Sequence, residues 1–420
     1  MLRECRRVFA CFLIPAGLSN LCWAQKPLTW EEVRERFRMN NPALIAGRAL
    51  IEESRAAEIT AYLRPNPEFT ATVDQINPFT PNPTAYTPFA QTLPFVSTTY
   101  LHERQHKREL RRDSARLATQ ISTTDQADLE RQLTFNLRDA FIRTLQAKSV
   151  LQLARENLGY YDHVIDVNRE RFKAGDISRA DLMRVELQRV QFESDLVNAE
   201  VNLRTAKIAL LALMNERLPV DAFDITGDFD FHESSLRLED ARRAALEARP
   251  DLQSATTAIE KAQTDNRLAW ANGSADPTFG VDVARNPPIQ AYVGFSVTVP
   301  LRIFDKNQGE KARTSIEIGR SERLREAVLA GIYRDVDSAY ASVESVRTLL
   351  RPYRDNYLPQ ATEIRDTVSF AYQNGGASLL EFLDAQKSYR DVQLNYRNLI
   401  GSYLSAVNQL NLAVGREVIP

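Results

Sequence analysis

Histidines and grouped carboxylates, the residues that most often bind metals or transfer protons, are few and scattered in this chain of 420 residues. His102 and His106 have the i,i+4 spacing that lets two imidazoles on one helix face share a metal ion, whereas His163 and His232 stand alone. An exposed histidine pair on a helix most often binds nothing, and the acidic segment 221–233 lacks the ligand spacing of an EF-hand loop. Since there is also no glycine-rich phosphate loop, we predict that the chain is not an enzyme and has no cofactor and no metal site.

The composition is that of a folded protein, with 44% hydrophobic and 26% charged residues. The net charge is −2 and both signs are mixed along the chain, so no basic face is available for nucleic acid. Beyond the first two dozen residues there is no apolar run of about 18 residues, the length that a membrane-spanning helix needs. These features exclude a nucleic-acid-binding protein and a helical membrane transporter.

The N-terminus has the layout of a secretory signal peptide, which we place at residues 1–24. Arginines at positions 3, 6 and 7 precede an apolar stretch, and the polar residues Gln25 and Lys26 follow Ala24. All three cysteines, Cys5, Cys11 and Cys22, lie in this segment, so the mature chain contains no thiol. Lipid attachment at Cys22 is the alternative, although Leu21 stands where a small residue normally precedes an acylated cysteine. Either way, the chain is predicted to be exported.

The remaining sequence contains an internal duplication, which we assign to repeats 25–235 and 236–420. Matching segments keep the same order in both copies, at an offset that varies only between 200 and 210. A chance resemblance would not stay collinear over about 180 residues. The matches include Leu28–Glu32 with Leu236–Asp240, Pro42 with Pro250, Pro67-Glu68-Phe69 with Pro277-Thr278-Phe279, and Phe172-x-x-Gly175-x-x-Ser178-x-x-Asp181 with Tyr372-x-x-Gly375-x-x-Ser378-x-x-Glu381.

Each repeat is predicted to contain a very long helix with two shorter helices lying end to end along it. In the first repeat these helices run roughly over 29–64, 101–173 and 178–214, so the hairpin is on the order of 110 Å long. Apolar residues then recur every three and four positions, which indicates coiled-coil packing. A second apolar seam on the helix after Ser178 predicts neighbouring helices on both of its sides. The first seam runs from Leu182 to Leu213 and, in the second repeat, from Phe382 to Ala413; the second seam contains Met183, Leu187, Val190, Val197, Val201, Ile208 and Leu211.

Four segments have the alternating polarity of β-strands: about 68–75, 85–93, 278–284 and 291–299. Such segments are typical of outer-membrane strands, but also of ordinary hairpins packed on helices. A long coiled coil has no globular core for hairpins to cover, which favours the membrane. Four strands in lipid would leave two edges without hydrogen-bond partners, so several chains must then share one barrel.

Together, the duplication, the two Gly-x-x-Ser-x-x-Asp/Glu turns and the segment from Val299 to Gly309 (Val-Pro-Leu-x-x-Phe-Asp-Lys-Asn-Gln-Gly) resemble the TolC family of outer-membrane efflux ducts. The resemblance covers essentially the whole mature chain. It implies a mainly α-helical fold with a membrane β part. In a homotrimer, four strands per chain would form a twelve-stranded barrel in outer-membrane lipid, continued by a periplasmic α-barrel. The implied partners are a periplasmic adaptor and an inner-membrane pump, commonly of the resistance-nodulation-division class.

The resemblance also implies roles for the two turns. Gly175, Ser178, Gly375 and Ser378 would lie at the periplasmic tips that contact the adaptor, where glycine permits a tight turn and serine caps the next helix. Glu381 and Asp384 would form rings of carboxylates that narrow the entrance, and a hydrogen bond between Tyr372 and Asp181 would help to close it. The alternative for the two acids is that they are solvated charges in the first turn of a helix. Because Ala377 stands where relatives often have arginine, this closure is expected to be incomplete.

The function predicted is therefore a passive outer-membrane channel of a tripartite efflux pump. A type I protein-secretion duct would have the same architecture with a different pump. A periplasmic coiled-coil scaffold would lack membrane strands altogether. The exported substrate stays open between metal ions, drugs and solvents, because a duct takes its specificity largely from its pump.

Overall fold

A computed structural model describes residues 26–76, 92–233, 236–286 and 289–419. The predicted signal peptide lies outside the described residues, as does most of the strand predicted at 85–93. The elements of the first half are α1 (Trp30–Asn40), α2 (Pro42–Tyr62), β1 (Glu68–Asp74), β2 (Leu93–Leu101), α3 (Lys107–Ala174) and α4 (Arg179–Leu213). Those of the second half are α5 (Leu238–Ala248), α6 (Pro250–Asn272), β3 (Thr278–Asn286), β4 (Ile289–Thr298), α7 (Gln308–Pro352), α8 (Leu358–Gln373) and α9 (Leu379–Val414).

The first predicted helix, 29–64, is two helices. Thr29 caps α1 through a reciprocal capping box with Glu32, as the sequence suggests. Asn41 has an extended backbone, and its side chain accepts hydrogen bonds from the amides of Ala43 and Leu44. Pro42 then occupies the first position of α2, where its missing N–H costs nothing. This Asn-Pro pair ends one helix and starts the next.

The second strand of the first repeat extends beyond the segment predicted for it. The strand β2 begins at Leu93, where the predicted segment ends, and continues to Leu101, the residue at which the sequence predicts the next helix to begin. Residues 95–101 are rich in aromatic and β-branched side chains, which favour a strand. Pro94, the second residue of β2, is opposite Val73 of β1 and precedes Phe95, where pairing with β3 begins, so its missing N–H is tolerated.

The long helix of the second repeat is interrupted, unlike the 68-residue helix α3. Between α7 and α8, residues Tyr353–Tyr357 form a single π-helical turn. Pro352 precedes this turn and Pro359 follows it, and each proline removes one backbone N–H from the helical ladder. The interruption is therefore explained by the two prolines.

The helices form a layer in which α3 is central. The shorter helices α2 and α4 both pack along α3, so the predicted end-to-end arrangement is confirmed. In the second half α6 and α9 pack along α7, and both also contact α3, which joins the two halves. The predicted first seam is buried at Val185, Phe192 and Ala199. Among the described residues no helix is long and apolar enough to cross a membrane.

Candidate functional site

The four strands form one antiparallel sheet in the order β1-β2-β3-β4. The register places apolar residues opposite one another on a single face. Three rows cross the sheet on that face: Ala71, Val96, Val283, Val293; Phe69, Thr98, Val281, Phe295; and Tyr100, Phe279, Val297. The other face carries two polar rows, Thr70, Ser97, Asp282, Gly294 and Glu68, Thr99, Gly280, Ser296, and a third row with Thr72, Phe95, Ala284 and Tyr292. The sheet is therefore apolar on one side and mainly polar on the other.

The apolar face of the sheet is uncovered in the single chain. Phe295 is 83% exposed and Val293 is 61% exposed, and their neighbours on β1 and β3 are also exposed. On the polar face, a Cβ added at Gly294 would lie 2.6 Å from a carboxylate oxygen of Asp282, so glycine leaves room for that side chain. Soluble proteins rarely leave such a continuous apolar face open to water.

At the far end of the long helices, two turns of the same geometry join α3 to α4 and α8 to α9. Gly175 and Gly375 have φ values of +84° and +75°, in the left-handed region that favours glycine. Ser178 and Ser378 have extended backbones, and each side chain accepts a hydrogen bond from the amide three residues later. The four residues assigned to the tips thus have the conformations that their types predict.

Glu381 takes part in the cap of α9. Its carboxylate accepts hydrogen bonds from the Ser378 amide at 2.7 Å and from the Ser378 hydroxyl at 2.8 Å. These bonds hold the pKa of Glu381 below its usual value, although the side chain is exposed. One carboxylate assigned to the entrance therefore also has a capping role within its own chain.

Asp384 lies one turn further along α9 and is exposed. Within the part of the chain that the structure describes, its carboxylate has no ion-pair or hydrogen-bond partner. Residues at i and i+3 lie on one helix face, so Asp384 and Glu381 project to the same side of α9. Two adjacent carboxylates beside a helical tip form an acidic surface that attracts cations.

The hydrogen bond predicted between Tyr372 and Asp181 is not formed. The Tyr372 hydroxyl instead donates to the side-chain oxygen of Asn168 on α3, at 2.7 Å. Asp181 accepts a hydrogen bond from the Ser178 hydroxyl at 2.8 Å. The reason is local, because Ser178 is three residues from Asp181 and the cap of α4 holds the carboxylate.

Two residues that the sequence analysis missed join the tips. Asn168 is buried on α3 and also donates to the Val164 carbonyl, which fixes its amide for Tyr372. The Arg171 guanidinium donates to the Tyr372 carbonyl at 3.0 Å and lies 4.8 Å from the centre of the Tyr372 ring. Arg171 thus places a cation beside Tyr372, whereas the neighbouring turn has alanine at position 377. A polar residue in an apolar helix face, such as Asn168, is the one signal that the sequence offers.

Stacked aromatic rings surround this contact. Tyr372 stacks on Phe382 with ring centres 4.7 Å apart, and Tyr161 stacks on Phe192 at 4.4 Å. Burial raises the pKa of the Tyr372 hydroxyl, so this group stays protonated and can donate. The two helical hairpins are therefore held together near their tips by packing and by one buried hydrogen bond.

Comparison with known proteins connects these features. The family model described as "Outer membrane efflux protein" matches residues 241–416. The cobalt-zinc-cadmium resistance protein CzcC of Cupriavidus metallidurans is 23% identical over 404 residues, which cover 94% of this chain and 91% of CzcC. A membrane protein of Pseudomonas aeruginosa has a similar solved structure, with a TM-score of 0.75 at 17% identity over 92% of this chain and 90% of that one. The structure of CusC, from a study of folding and transmembrane channel formation, gives a TM-score of 0.73 at 17% identity over 92% of both chains. Residues 241–416 thus match the outer membrane efflux protein family, and the chain as a whole is similar to CzcC and has the same fold as CusC.

Proposed function

We propose that three copies of this chain form an outer-membrane channel that serves as the exit duct of a tripartite efflux pump. The observation that carries the proposal is the four-stranded sheet with one uncovered apolar face. Lipid is the solvent that suits such a face, since alternating apolar and polar rows are the pattern of a barrel strand. The polar rows would then line the water-filled interior.

The edges of the sheet support the sharing of one barrel among chains. Among the described residues, β1 pairs only with β2 and β4 only with β3, so each keeps one unpaired edge. In a bilayer every unsatisfied backbone group costs several kcal/mol, and only a closed barrel removes the edges. Three chains with four strands each make a barrel of twelve strands.

The helical part offers a matching surface between chains. The second seam of α4 is exposed except at Leu211, which is buried; Met183, Leu187 and Val197 are between 57% and 72% exposed. On the opposite border of the helical layer, Ile316 of α7 and Phe370 of α8 are also exposed. Packing α4 of one chain against α7 and α8 of the next would cover both rows and close a tunnel of helices.

The organisation into a signal peptide at 1–24 and two tandem repeats, 25–235 and 236–420, is part of the proposal. Its support is the repeated order of elements: α1 and α5 both have 11 residues and both are followed by a helix with proline in its first turn. The turns after Gly175 and Gly375 are each followed by a serine-capped helix. A duplication explains why one chain supplies two equivalent hairpins to the tunnel wall.

We assign the gate to the helical tips. Around a three-fold axis, Glu381 and Asp384 would each form a ring of three carboxylates that attracts cations. The hydrogen bond from Tyr372 to Asn168 and the contact of Arg171 with Tyr372 would hold the two hairpins together in the closed state. Asp181 is assigned an indirect part, because its pairing with Ser178 fixes the neighbouring turn.

The tips are also the proposed contact for a periplasmic adaptor, through Gly175, Ser178, Gly375 and Ser378. The inner-membrane pump is proposed to be of the resistance-nodulation-division class. We propose divalent metal cations as the cargo, supported by the similarity to CzcC along 94% of this chain. Loss of the gene should then increase sensitivity to zinc, cobalt or cadmium, and unchanged sensitivity to all three would refute this cargo.

The architecture is tested by the mass and membrane partition of the mature chain. We expect a trimer that requires detergent and stays in the outer-membrane fraction after washes at low and high salt. A water-soluble monomer or dimer that washes off would instead identify a periplasmic scaffold.

The gate is tested by single-channel conductance in planar bilayers. Asp384→Asn should reduce cation selectivity and the block by trivalent cations added on the periplasmic side. Asp166→Asn is the matched control, because Asp166 is an exposed aspartate of α3 with an ion pair to Arg169. Equal effects of both substitutions would contradict the assignment of the gate.

A further inference from the structure

A cavity of about 250 Å³ lies between the two helical hairpins, away from the turns that carry the proposed gate. Its walls come from α3, α4, α8 and α9, so both halves of the chain contribute. Pockets for drug-sized ligands have volumes of roughly 300–1,000 Å³. This cavity therefore suits a small ligand.

Three arginines line the cavity: Arg365 of α8 and Arg390 and Arg397 of α9. Arg365 lies 4.0 Å from the ring centre of Tyr389 and forms an ion pair with Asp366. Arg390 forms an ion pair with Asp391 at 3.2 Å. Among the described residues, Arg397 has no ion-pair or hydrogen-bond partner. One of the three cations is therefore uncompensated.

Two guanidinium nitrogens at this cavity are buried without a hydrogen-bond acceptor among the described residues. They are Nη1 of Arg390 and Nε of Arg397. Nη1 of Arg390 forms an ion pair with Asp195 at 3.6 Å, which is longer than a hydrogen bond. Buried donors are normally satisfied, and a buried charged donor without an acceptor is especially costly. Each of the two arginines therefore has one guanidinium nitrogen for which the described residues provide no hydrogen-bond acceptor.

Neutral donors at the same cavity point to the same ligand chemistry. The Tyr389 oxygen accepts a hydrogen bond from Gln393 at 3.0 Å, and within the described residues its own O–H has no acceptor. The side-chain amide of Asn157 also lines the cavity and has no partner there. Glu156 is the one carboxylate in the lining; it is exposed and accepts a hydrogen bond from Gln152. The lining therefore contains three guanidinium groups and one carboxylate.

We propose that this cavity binds a small oxyanion of the phosphate or sulfate class, held by Arg390 and Arg397 with Tyr389 and Asn157 as neutral donors. A tetrahedral oxyanion presents several acceptor oxygens, and guanidinium groups bind such ions through short charge-assisted hydrogen bonds. The inference is independent of the proposed gate and cargo. Since Asn157 belongs to α3 and the arginines to α9, a bound anion connects the two hairpins and stabilises their present arrangement.

The test is thermal unfolding of the full-length detergent-solubilised protein with increasing sodium phosphate or sodium sulfate, against sodium chloride at equal ionic strength. We expect a saturable rise in the unfolding temperature with either oxyanion and not with chloride. Arg397→Gln should weaken the apparent affinity at least tenfold. Arg323→Gln is the matched control, because Arg323 is an exposed arginine on α7 and its removal changes the charge equally.

Glycerol phosphate separates two sources of the same chemistry. If the protein binds inorganic phosphate but not glycerol phosphate, the ligand is a free ion. If it binds both, the cavity also accepts the phosphate group of a larger molecule. Equal stabilisation by chloride, or an equal loss of affinity in both variants, would overturn the proposal. Should Arg397→Gln fail to fold, Tyr389→Phe, which removes only the hydroxyl, is expected to weaken phosphate binding several-fold.

Discussion

An arginine introduced on the apolar face of the sheet tests the membrane assignment most directly. Val293 lies at the middle of β4, in the row that contains Ala71, Val96 and Val283, and it is 61% exposed in the single chain. If this face contacts lipid, Val293→Arg removes a buried valine, worth about 1.5 kcal/mol, and adds a charge near the bilayer midplane, at about 2–4 kcal/mol. The expected penalty is about 3.5–5.5 kcal/mol per chain and three times that per trimer. A thousandfold reduction of assembly corresponds to about 4 kcal/mol.

Tyr292→Arg is the control for this prediction. Tyr292 is adjacent and exposed, but it lies on the polar face opposite Ala284. The same side chain would there point into the water-filled interior and be tolerated. The assay is the yield of trimer in the outer-membrane fraction, read as the slow-migrating band of unheated samples. Normal assembly of Val293→Arg, or equal loss in both variants, would refute the assignment of this face to lipid.

Three further predictions concern the tips and the long helices. Tyr372→Phe leaves the oxygen of Asn168 without its donor, which should destabilise the closed arrangement by about 1–3 kcal/mol. The open-channel fraction in planar bilayers should therefore rise. Unchanged gating would show that the hydrogen bond from Tyr372 to Asn168 does not hold the channel closed. Gly175→Ala places a side chain on a residue with φ +84°, so the free energy of unfolding should fall by about 1–2 kcal/mol. Gly159→Ala within α3 should instead raise the free energy of unfolding by about 0.5–1 kcal/mol. Equal shifts in the two variants would refute the argument from backbone conformation. Hydrogen bonds of the cap lower the pKa of Glu381 from its usual value near 4.5, so their stabilisation is present above that pH and lost as the pH falls through the lowered pKa. Glu381→Gln should flatten this acid dependence of the unfolding temperature, and an unchanged profile would show that the cap does not contribute.

Much of the local structure follows from residue types close together in the sequence. Ser178 and Ser378 cap their helices and Gly175 and Gly375 adopt positive φ because each requirement is satisfied within a few residues. The same holds for the capping box of Thr29. The long seams were predictable for a related reason, since a heptad pattern repeats the same packing requirement many times.

The errors came where local signals compete. The predicted second strand ends at residue 93, whereas β2 continues through Pro94, which lies before pairing with β3 begins at Phe95. Where pairing with β3 begins depends on a strand almost 190 residues further along the chain. The interruption at Tyr353–Tyr357 was missed because a proline pair predicts a disturbed helix without specifying its form.

The sequence by itself determined the duplication, the turns, the helix caps and the alternation of the strands, because each depends on residue spacing along one segment. Only the tertiary structure decided which residues meet across segments. In it Tyr372 donates a hydrogen bond to Asn168 rather than to Asp181. Apolar residues of all four strands are aligned on one face, and Asn157 lies at the same cavity as Arg390 and Arg397. These partners are separated by up to about 240 residues in the chain, and their meeting depends on how α3 packs against α9. Spacing along a helix fixes the direction of a side chain, but the register between two helices fixes its neighbour.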